Sequence, residues 1–132
     1  MTKNVLRNIM GENIRIERIS RGFSIDELSE ILGLTAGFVG LIERGQRGAT
    51  PLTLYKLSKI FGLSIDSFYY PRQSASNLNE EPEITVEIKR KKIESLISDF
   101  SEKELDFVIL MIKNLRVMNR QPGEEEDGED YY

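Results

Sequence analysis

The sequence predicts an all-α protein in which a five-helix domain is followed by a C-terminal helical segment. Apolar residues recur three and four positions apart along most of the chain, as on one face of a helix. Serine or threonine stands before several of these stretches and glycine after them, as at helix starts and ends. The alternation typical of a strand occurs only at residues 84–88, where helical spacing resumes from Ile88. We therefore expect helices throughout, including one from about Thr85 or Ile88.

The first predicted helix spans roughly Asn4 to Arg21. Its apolar residues lie within a polar stretch that also carries several arginines. They are Val5, Ile9, Ile14, Ile16 and Ile19. Gly22 follows directly and suits the position just past a helix end, where the left-handed conformation is common. The chain should therefore turn at residues 21–22.

Two short helices joined by a tight turn follow. Ser24 and Glu27 form a capping box at the start of the first, and Gly33 ends it. Thr35 is the N-cap candidate of the second, which ends at Gly45. The predicted inward-facing residues are Leu28, Ile31, Leu32, Phe38, Val39 and Ile42. Two short helices around such a turn are typical of a helix-turn-helix, a layout that favours DNA binding.

A fourth helix begins at Thr50 and Pro51, as cap and first helical residue, and ends at Gly62. Its predicted core face is Leu52, Leu54, Leu57, Ile60 and Phe61. Residues 64–68 can form one last turn. These five helices assign residues 1–70 to one compact domain.

The second half of the chain is organised differently. Residues 71–83 contain prolines, serines and acids with little apolar content, and are interpreted as a linker. Residues 84–120 form a helical segment, interpreted as a helix hairpin, whose second helix begins at the Ser101 and Glu104 capping box. Residues 121–132 are predicted to be a disordered acidic tail.

The last helix is apolar nearly all round, because residues 107–112 contain no polar break. A helix of this kind needs burial on more than one side. A second copy of the segment would supply the missing surface, which predicts a homodimer or higher oligomer. The residues assigned to this oligomerisation are Ile93, Leu96, Ile97, Leu105, Val108, Ile109, Ile112 and Leu115.

Composition excludes several function classes. The chain has no cysteine and no histidine, which removes thiolate chemistry, the usual general base and the commonest metal ligands. We expect no enzyme activity, metal or cofactor. The sequence shows no membrane-spanning run and no signal peptide, so we expect a cytoplasmic protein that does not bind membranes.

The net charge of −4 is divided unevenly along the chain. Residues 1–72 carry 10 basic and 7 acidic side chains, whereas residues 73–132 carry 8 basic and 15 acidic ones. A basic front half beside an acidic back half suggests a nucleic-acid-facing domain with a separate acidic region.

Residues 9–69 resemble the Cro/cI-type, or XRE, family of prokaryotic and phage regulators. The resemblance lies in Arg18, in residues 24–29 at the start of the second helix, in Gly33-Leu34-Thr35, in Ile42-Glu43-Arg44-Gly45 and in residues 63–66. It implies a five-helix lambda-repressor-like domain that places its third helix in the major groove of double-stranded DNA, usually as a dimer. It also implies a partly buried salt bridge between Arg18 and Glu43.

The third helix departs from a typical base reader, because its outer positions are small. The resemblance places Thr35, Ala36, Gly37, Gly40 and Leu41 toward the bases. Such residues make few polar base contacts, so either close backbone approach and thymine methyl groups give specificity, or this helix does not read bases. Ile25 stands where the family usually has glutamine, and it cannot make that hydrogen bond. Thr35 is equally interpreted as a helix cap.

The predicted phosphate contacts surround this helix. Arg47 is the leading candidate, and the others are Gln46, Arg44, Thr50, Ser24, Arg15, Arg21 and Lys56. Residues 89–92, Lys-Arg-Lys-Lys, are interpreted as a solvated helix face, with a second DNA contact or a clamp for the acidic tail as the alternatives.

The leading hypothesis is a sequence-specific transcriptional regulator, a dimeric repressor that occupies a two-fold symmetric operator. The alternative is an antitoxin or regulatory subunit whose C-terminal helices bind a different protein, such as a protein antagonist. A further hypothesis is that the acidic tail mimics DNA and competes for the basic face.

Overall fold

A computed structural model describes residues 2–72 and 84–119. The α-helices are α1 (Lys3–Ser20), α2 (Ile25–Leu32), α3 (Ala36–Glu43), α4 (Pro51–Phe61), α5 (Val86–Leu96) and α6 (Glu102–Met118), and a 3₁₀ helix spans Ile65–Tyr69. Within these residues there is no strand, so the all-α prediction is confirmed. Most of the predicted linker and the whole acidic tail lie outside the described residues.

The predicted helix boundaries match the observed ones within one or two residues, because local hydrogen bonds set them. The capping boxes at Ser24 and Ser101 are both complete, with the serine accepting from the backbone and the glutamate accepting in return. Thr35, Thr50 and Thr85 cap α3, α4 and α5. The glycines that follow α1 to α4 all have positive φ, between 63° and 79°, as left-handed turns require; they are Gly22, Gly33, Gly45 and Gly62.

The hydrophobic core lies among the first four helices and the 3₁₀ helix. Its members are Met10, Ile14, Phe23, Leu28, Leu32, Val39, Ile42, Leu54, Leu57, Ile60, Phe61 and Phe68. The prediction that Leu52 belongs to this core is wrong, since its side chain is 63% exposed. Leu52 lies about 140° around the helix from Leu57, and Thr53 takes the buried position in that turn.

Two residues of α1 that the sequence analysis missed hold other elements in place. Gly11 is buried against α3, where an added Cβ would overlap the carbonyl oxygen of Ile42 and lie 2.6 Å from that of Glu43. Asn13 is also buried and donates from Nδ2 to the carbonyls of Phe68 (2.7 Å) and Tyr70 (2.9 Å). Together they fix α3 and the 3₁₀ helix against α1.

The first compact unit of the chain extends to Asp99 and therefore includes α5. Lys92 of α5 forms an ion pair with Glu27 of α2 at 2.6 Å, and Ser95 accepts a hydrogen bond from Arg21 at 3.2 Å. Helix α5 thus packs on the helix-turn-helix region, whereas the sequence analysis grouped it with α6.

Helix α6 belongs to the second unit, and none of its residues is buried. Nine large apolar side chains of α6 are exposed, from 37% at Leu105 to 79% at Met118. The described part of the chain therefore leaves this apolar helix uncovered.

Candidate nucleic-acid interface

A buried ion pair fixes α3 against α1. Arg18 donates from Nε to Glu43 Oε2 at 2.7 Å and from Nη2 to Oε1 at 3.1 Å, and Nη1 donates to the carbonyl of Phe23 at 3.0 Å. The two side chains are only 1% and 4% exposed. This two-pronged geometry is the strong form of an arginine–carboxylate pair, and it sets the orientation of α3. The pair that the resemblance implies is present in the structure.

The outer face of α3 is formed by small residues. Thr35 is exposed and its Oγ1 accepts from the amide of Phe38 at 3.1 Å, so it caps the helix. Gly37 is exposed, and an added Cβ there would meet nothing within 4 Å. Ala36 and Leu41 are half-buried. The N-terminal end of α3 therefore presents backbone and small side chains to solvent rather than long polar side chains.

Gly40 is placed differently from the other small residues that were assigned to the bases. It is buried, and the guanidinium of Arg44 lies over it, with Nη1 3.0 Å from the position of an added Cβ. The guanidinium of Arg44, which comes from one turn further along the helix, therefore forms the surface of α3 at Gly40.

The loop after α3 carries the leading phosphate candidates. Gln46 and Arg47 are both exposed, and their amides both donate to the carbonyl of Leu41, at 2.9 and 3.3 Å. These bonds, with the left-handed Gly45, fix the path of the loop out of α3. Arg47 is thereby held at the surface beside the end of α3.

A further cation reaches this loop from α1. The Nε of Arg7 lies 3.2 Å from where a Cβ would stand on Gly48, so a side chain at residue 48 would require this guanidinium to shift by a few tenths of an ångström. Arg7 is not predicted by the sequence pattern, because its contact joins residues 41 positions apart and leaves no trace in local spacing.

Thr50 and Ser24 both serve as helix caps. Thr50 is exposed at the start of α4, and its Oγ1 accepts from the amide of Thr53 at 3.2 Å. Ser24 is half-buried and accepts from the amide of Glu27 at 3.1 Å. Ile25, which replaces the family's usual glutamine, packs against the core. The start of α2 therefore offers the capped end of a helix rather than a long polar side chain.

Arg21 has a structural role in addition to the phosphate contact predicted for it. Its Nη2 donates to the carbonyl of Phe61 at 2.7 Å, Nε donates to Glu17 at 3.0 Å, and Nη1 donates to Ser95. Its guanidinium also lies 5.5 Å from the centre of the Phe61 ring. Arg21 thus ties α1 to α4 and α5.

The other predicted flanking residues lie on α1 and α4. Lys56 donates from Nζ to the carbonyl of Leu32 at 3.2 Å, which satisfies the end of α2. Arg15 is half-buried. The structure therefore places Arg44, Gln46, Arg47 and Thr50 together along α3 and the loop that follows, while Lys56 and Arg21 also hold helices to one another.

Charge distribution distinguishes this surface. Between residues 34 and 59 the sole acidic residue is Glu43, whose charge is buried in the pair with Arg18. The same stretch contains Arg44, Arg47, Lys56 and Lys59. The exposed side of α3, the following loop and α4 therefore presents positive charge without a competing carboxylate.

Other chemistries find no support in residues 2–72 and 84–119. This part of the chain contains no group of three or more acidic, cysteine or histidine side chains that could hold a metal ion. Its helices also include none that is long and apolar enough to cross a membrane.

Comparisons with known proteins agree with this geometry. The helix-turn-helix family model HTH_3 matches residues 14–68. The chain is 35% identical over 60 residues to the control protein C.SmaI of Serratia marcescens, a match covering 46% of this chain and 71% of that protein. It is 30% identical over 105 residues to YonR of Bacillus subtilis (strain 168), an uncharacterized prophage-derived helix-turn-helix transcriptional regulator; this match covers 77% and 94% of the two chains.

The chain belongs to the XRE-type helix-turn-helix family. The helix-turn-helix family model and relatives named as transcriptional regulators point to a DNA-binding regulator and not to an enzyme. The chain spans 44% of the length of the regulator SutR of Escherichia coli (strain K12), to which it is 28% identical over 78 residues, or 59% of this chain. A solved HTH_3 regulator from Vibrio cholerae is 28% identical, with a TM-score of 0.46 over 52% of this chain and 38% of that one.

Proposed function

We propose that this protein is a dimeric cytoplasmic repressor that occupies a two-fold symmetric operator with one helix-turn-helix per half-site. The observation that carries the proposal is the surface of α3 and its following loop, where Arg44 and Arg47 are exposed and the sole acid, Glu43, is neutralised within the fold. Cationic side chains on such a surface bind phosphates, and these contacts supply nearly all of the non-specific affinity of a DNA-binding protein and a large share of its specific affinity.

Specificity in this proposal comes from close approach rather than from long side chains. Gly37 and Ala36 allow the start of α3 to lie deep in the major groove, where backbone groups, thymine methyl groups and water can contact the base edges. The hydroxyl of Thr35 is already occupied as a cap acceptor. The deformability of the operator and the spacing of its half-sites would then contribute much of the discrimination.

Helix α6 supplies the dimer contact in this proposal. Its exposed apolar side chains need a covering surface, and a second copy of α6 provides one with matching composition on both sides. A chain that stays monomeric at high concentration would instead support the alternative, in which α6 binds a different protein.

The direct test of DNA binding is a selection from fragments of the source genome, including the DNA upstream of the protein's own gene, followed by a gel shift. We expect a shift at micromolar protein or below that weakens as salt rises. If no fragment gives a salt-sensitive shift at micromolar protein, the proposal fails.

Arg47→Ala tests the assignment of the phosphate contact. Because one phosphate contact contributes about 0.9 to the slope of log K against log salt, the variant should flatten the slope by about that amount. It should weaken binding to all sequences alike. Lys103→Ala, which removes an exposed cation from the first turn of α6, outside the candidate interface, is the matched control and should leave the slope unchanged. Loss of affinity for one sequence alone would contradict the phosphate role.

A further inference from the structure

Helix α5 carries four consecutive basic residues, which we call the basic cluster: Lys89, Arg90, Lys91 and Lys92. The first three are exposed, whereas Lys92 is half-buried. The family model ends at residue 68, so the basic cluster lies beyond the helix-turn-helix itself. Its position in the fold nevertheless ties it to that region.

One stripe of α5 attaches the helix to the domain. Ile88 lies against Gly22, at the turn between α1 and α2, where its Cγ2 would be 2.5 Å from an added Cβ. Lys92 forms the ion pair with Glu27, and its Nζ also lies 5.6 Å from the centre of the Phe23 ring. Ser95 accepts from Arg21. Residues 88, 92 and 95 share one face of a helix, so Arg90 points away from the attachment and Lys89 and Lys91 lie on either side of it. All three side chains are exposed to solvent.

The attachment places the basic cluster beside the first turn of α2. Glu27, the partner of Lys92, is the third residue of that helix. Lys89 is three residues from Lys92, which corresponds to about 4.5 Å along the helix axis. When a helix-turn-helix places its second helix in the major groove, its first helix crosses the DNA backbone. Helix α5 would then lie next to the backbone, just outside the segment that α3 reads.

The ion pair also removes an unfavourable charge at this position. Lys92, together with the amide of Ser24, holds the pKa of Glu27 below its ordinary value, so this carboxyl stays ionised and paired. The three remaining cations of the cluster are then left to attract phosphate.

We propose that Lys89, Arg90 and Lys91 form a second DNA contact, which binds the phosphates flanking each half-site. The contact extends the protein's footprint beyond the segment touched by α3 and its loop. It reads no bases, because exposed lysines and arginine on phosphates fix position without carrying sequence information. The inference rests on the proposed function, since α5 lies next to the DNA backbone only if α2 and α3 dock on DNA as proposed.

The test compares the full chain with the triple variant K89A/R90A/K91A on the selected operator in two lengths. One duplex extends about ten base pairs beyond the half-sites, roughly one helical turn, and the other ends at them. On the long duplex, the slope of log K against log salt should become shallower in the variant by about one to three, because each lost phosphate contact contributes about 0.9. On the short duplex the two proteins should bind alike.

The matched control is the charge-conserving variant K89R/R90K/K91R, which should keep the wild-type affinity and slope. Thermal melting checks that the triple alanine variant is folded, as expected from the exposure of the three side chains and the retention of Ile88, Lys92 and Ser95. Equal affinity and slope of wild type and K89A/R90A/K91A on the long duplex would overturn the inference. Tighter DNA binding by that variant would also overturn it, and would indicate that the cluster holds an acidic segment. Absence of any DNA binding by the wild type would instead refute the proposed function.

Discussion

The helix-turn-helix unit and α6 contain the same kinds of apolar residue, but the first buries many of them and α6 leaves its own exposed. In the first unit thirteen large apolar side chains are buried, and two helices meet closely enough at Gly11 to exclude a methyl group. In α6 nine such side chains are exposed and no residue is buried. The first unit therefore completes its core within one chain, whereas α6 has an unsatisfied apolar surface.

This difference in burial means that the two regions gain free energy in different steps, the first unit on folding and α6 on association. Full burial of a large apolar side chain stabilises by about 1.5–3 kcal/mol, so the first unit gains its stability on folding. The apolar side chains of α6 can gain theirs only when another surface covers them. Mutations in the two regions should accordingly report on different equilibria, unfolding in one and association in the other.

The largest expected effect concerns the buried pair of the first unit. Arg18→Met removes one partner and strands the Glu43 carboxylate, which should lower the free energy of unfolding by about 3–5 kcal/mol. Urea denaturation followed by circular dichroism measures it. Arg72→Ala, which breaks the more exposed pair with Glu17 at 2.7 Å, should cost less than about 1 kcal/mol. Comparable losses of unfolding free energy in both variants would mean that burial does not determine how much these ion pairs stabilise the fold.

A smaller effect is expected on association. Ile109→Ser and Ile112→Ser together remove two apolar side chains that are 51% and 50% exposed in the chain. The dimer dissociation constant should rise by at least about a hundredfold, while the first unit keeps its stability. Sedimentation equilibrium measures the constant. Val5→Ser, at a 42% exposed position of α1, is the control and should leave it unchanged. An unchanged constant in the double variant would place the dimer contact elsewhere.

The smallest expected effect concerns the attachment of α5. The pKa of Glu27 is lowered chiefly by Lys92, so this pair stabilises the fold above the ordinary carboxyl value of 4.5 and ceases to do so as pH falls through the lowered pKa. Lys92→Met should therefore lower the melting temperature by up to about 4 °C at pH 7, since a half-exposed pair contributes under about 1 kcal/mol. The difference should shrink as the pH is lowered from 4.5 through the lowered pKa of Glu27. A difference that persists unchanged in acid would show that packing on Phe23, and not charge, holds the helix.

The features that the sequence predicted well are those set within a few residues. Caps such as Ser24 and Thr50, and the left-handed Gly33 and Gly62, depend on hydrogen bonds and backbone angles over one helical turn. Spacing also predicted most of the core. Leu52 is the exception, because an apolar residue in the first turn of α4 satisfies a pattern without facing the core.

The features that the sequence did not predict involve long-range contacts. Asn13 bonds to residues 55 and 57 positions away, and Arg21 meets Ser95 across 74 positions. Nothing in local periodicity pairs such residues, so α5 was grouped with α6 rather than with the domain it contacts. The covering of Gly40 by Arg44 was also not predicted, although the two residues are only four positions apart, because it depends on the side-chain conformation of Arg44 and not on spacing.

The most direct test of a dimeric regulator is the stoichiometry of the full chain on its selected operator, measured by sedimentation velocity together with the symmetry of the selected DNA. We expect two chains per operator, two inverted half-sites and a free protein that is already dimeric. One chain bound to a single asymmetric site, with a free protein that remains monomeric, would contradict this expectation.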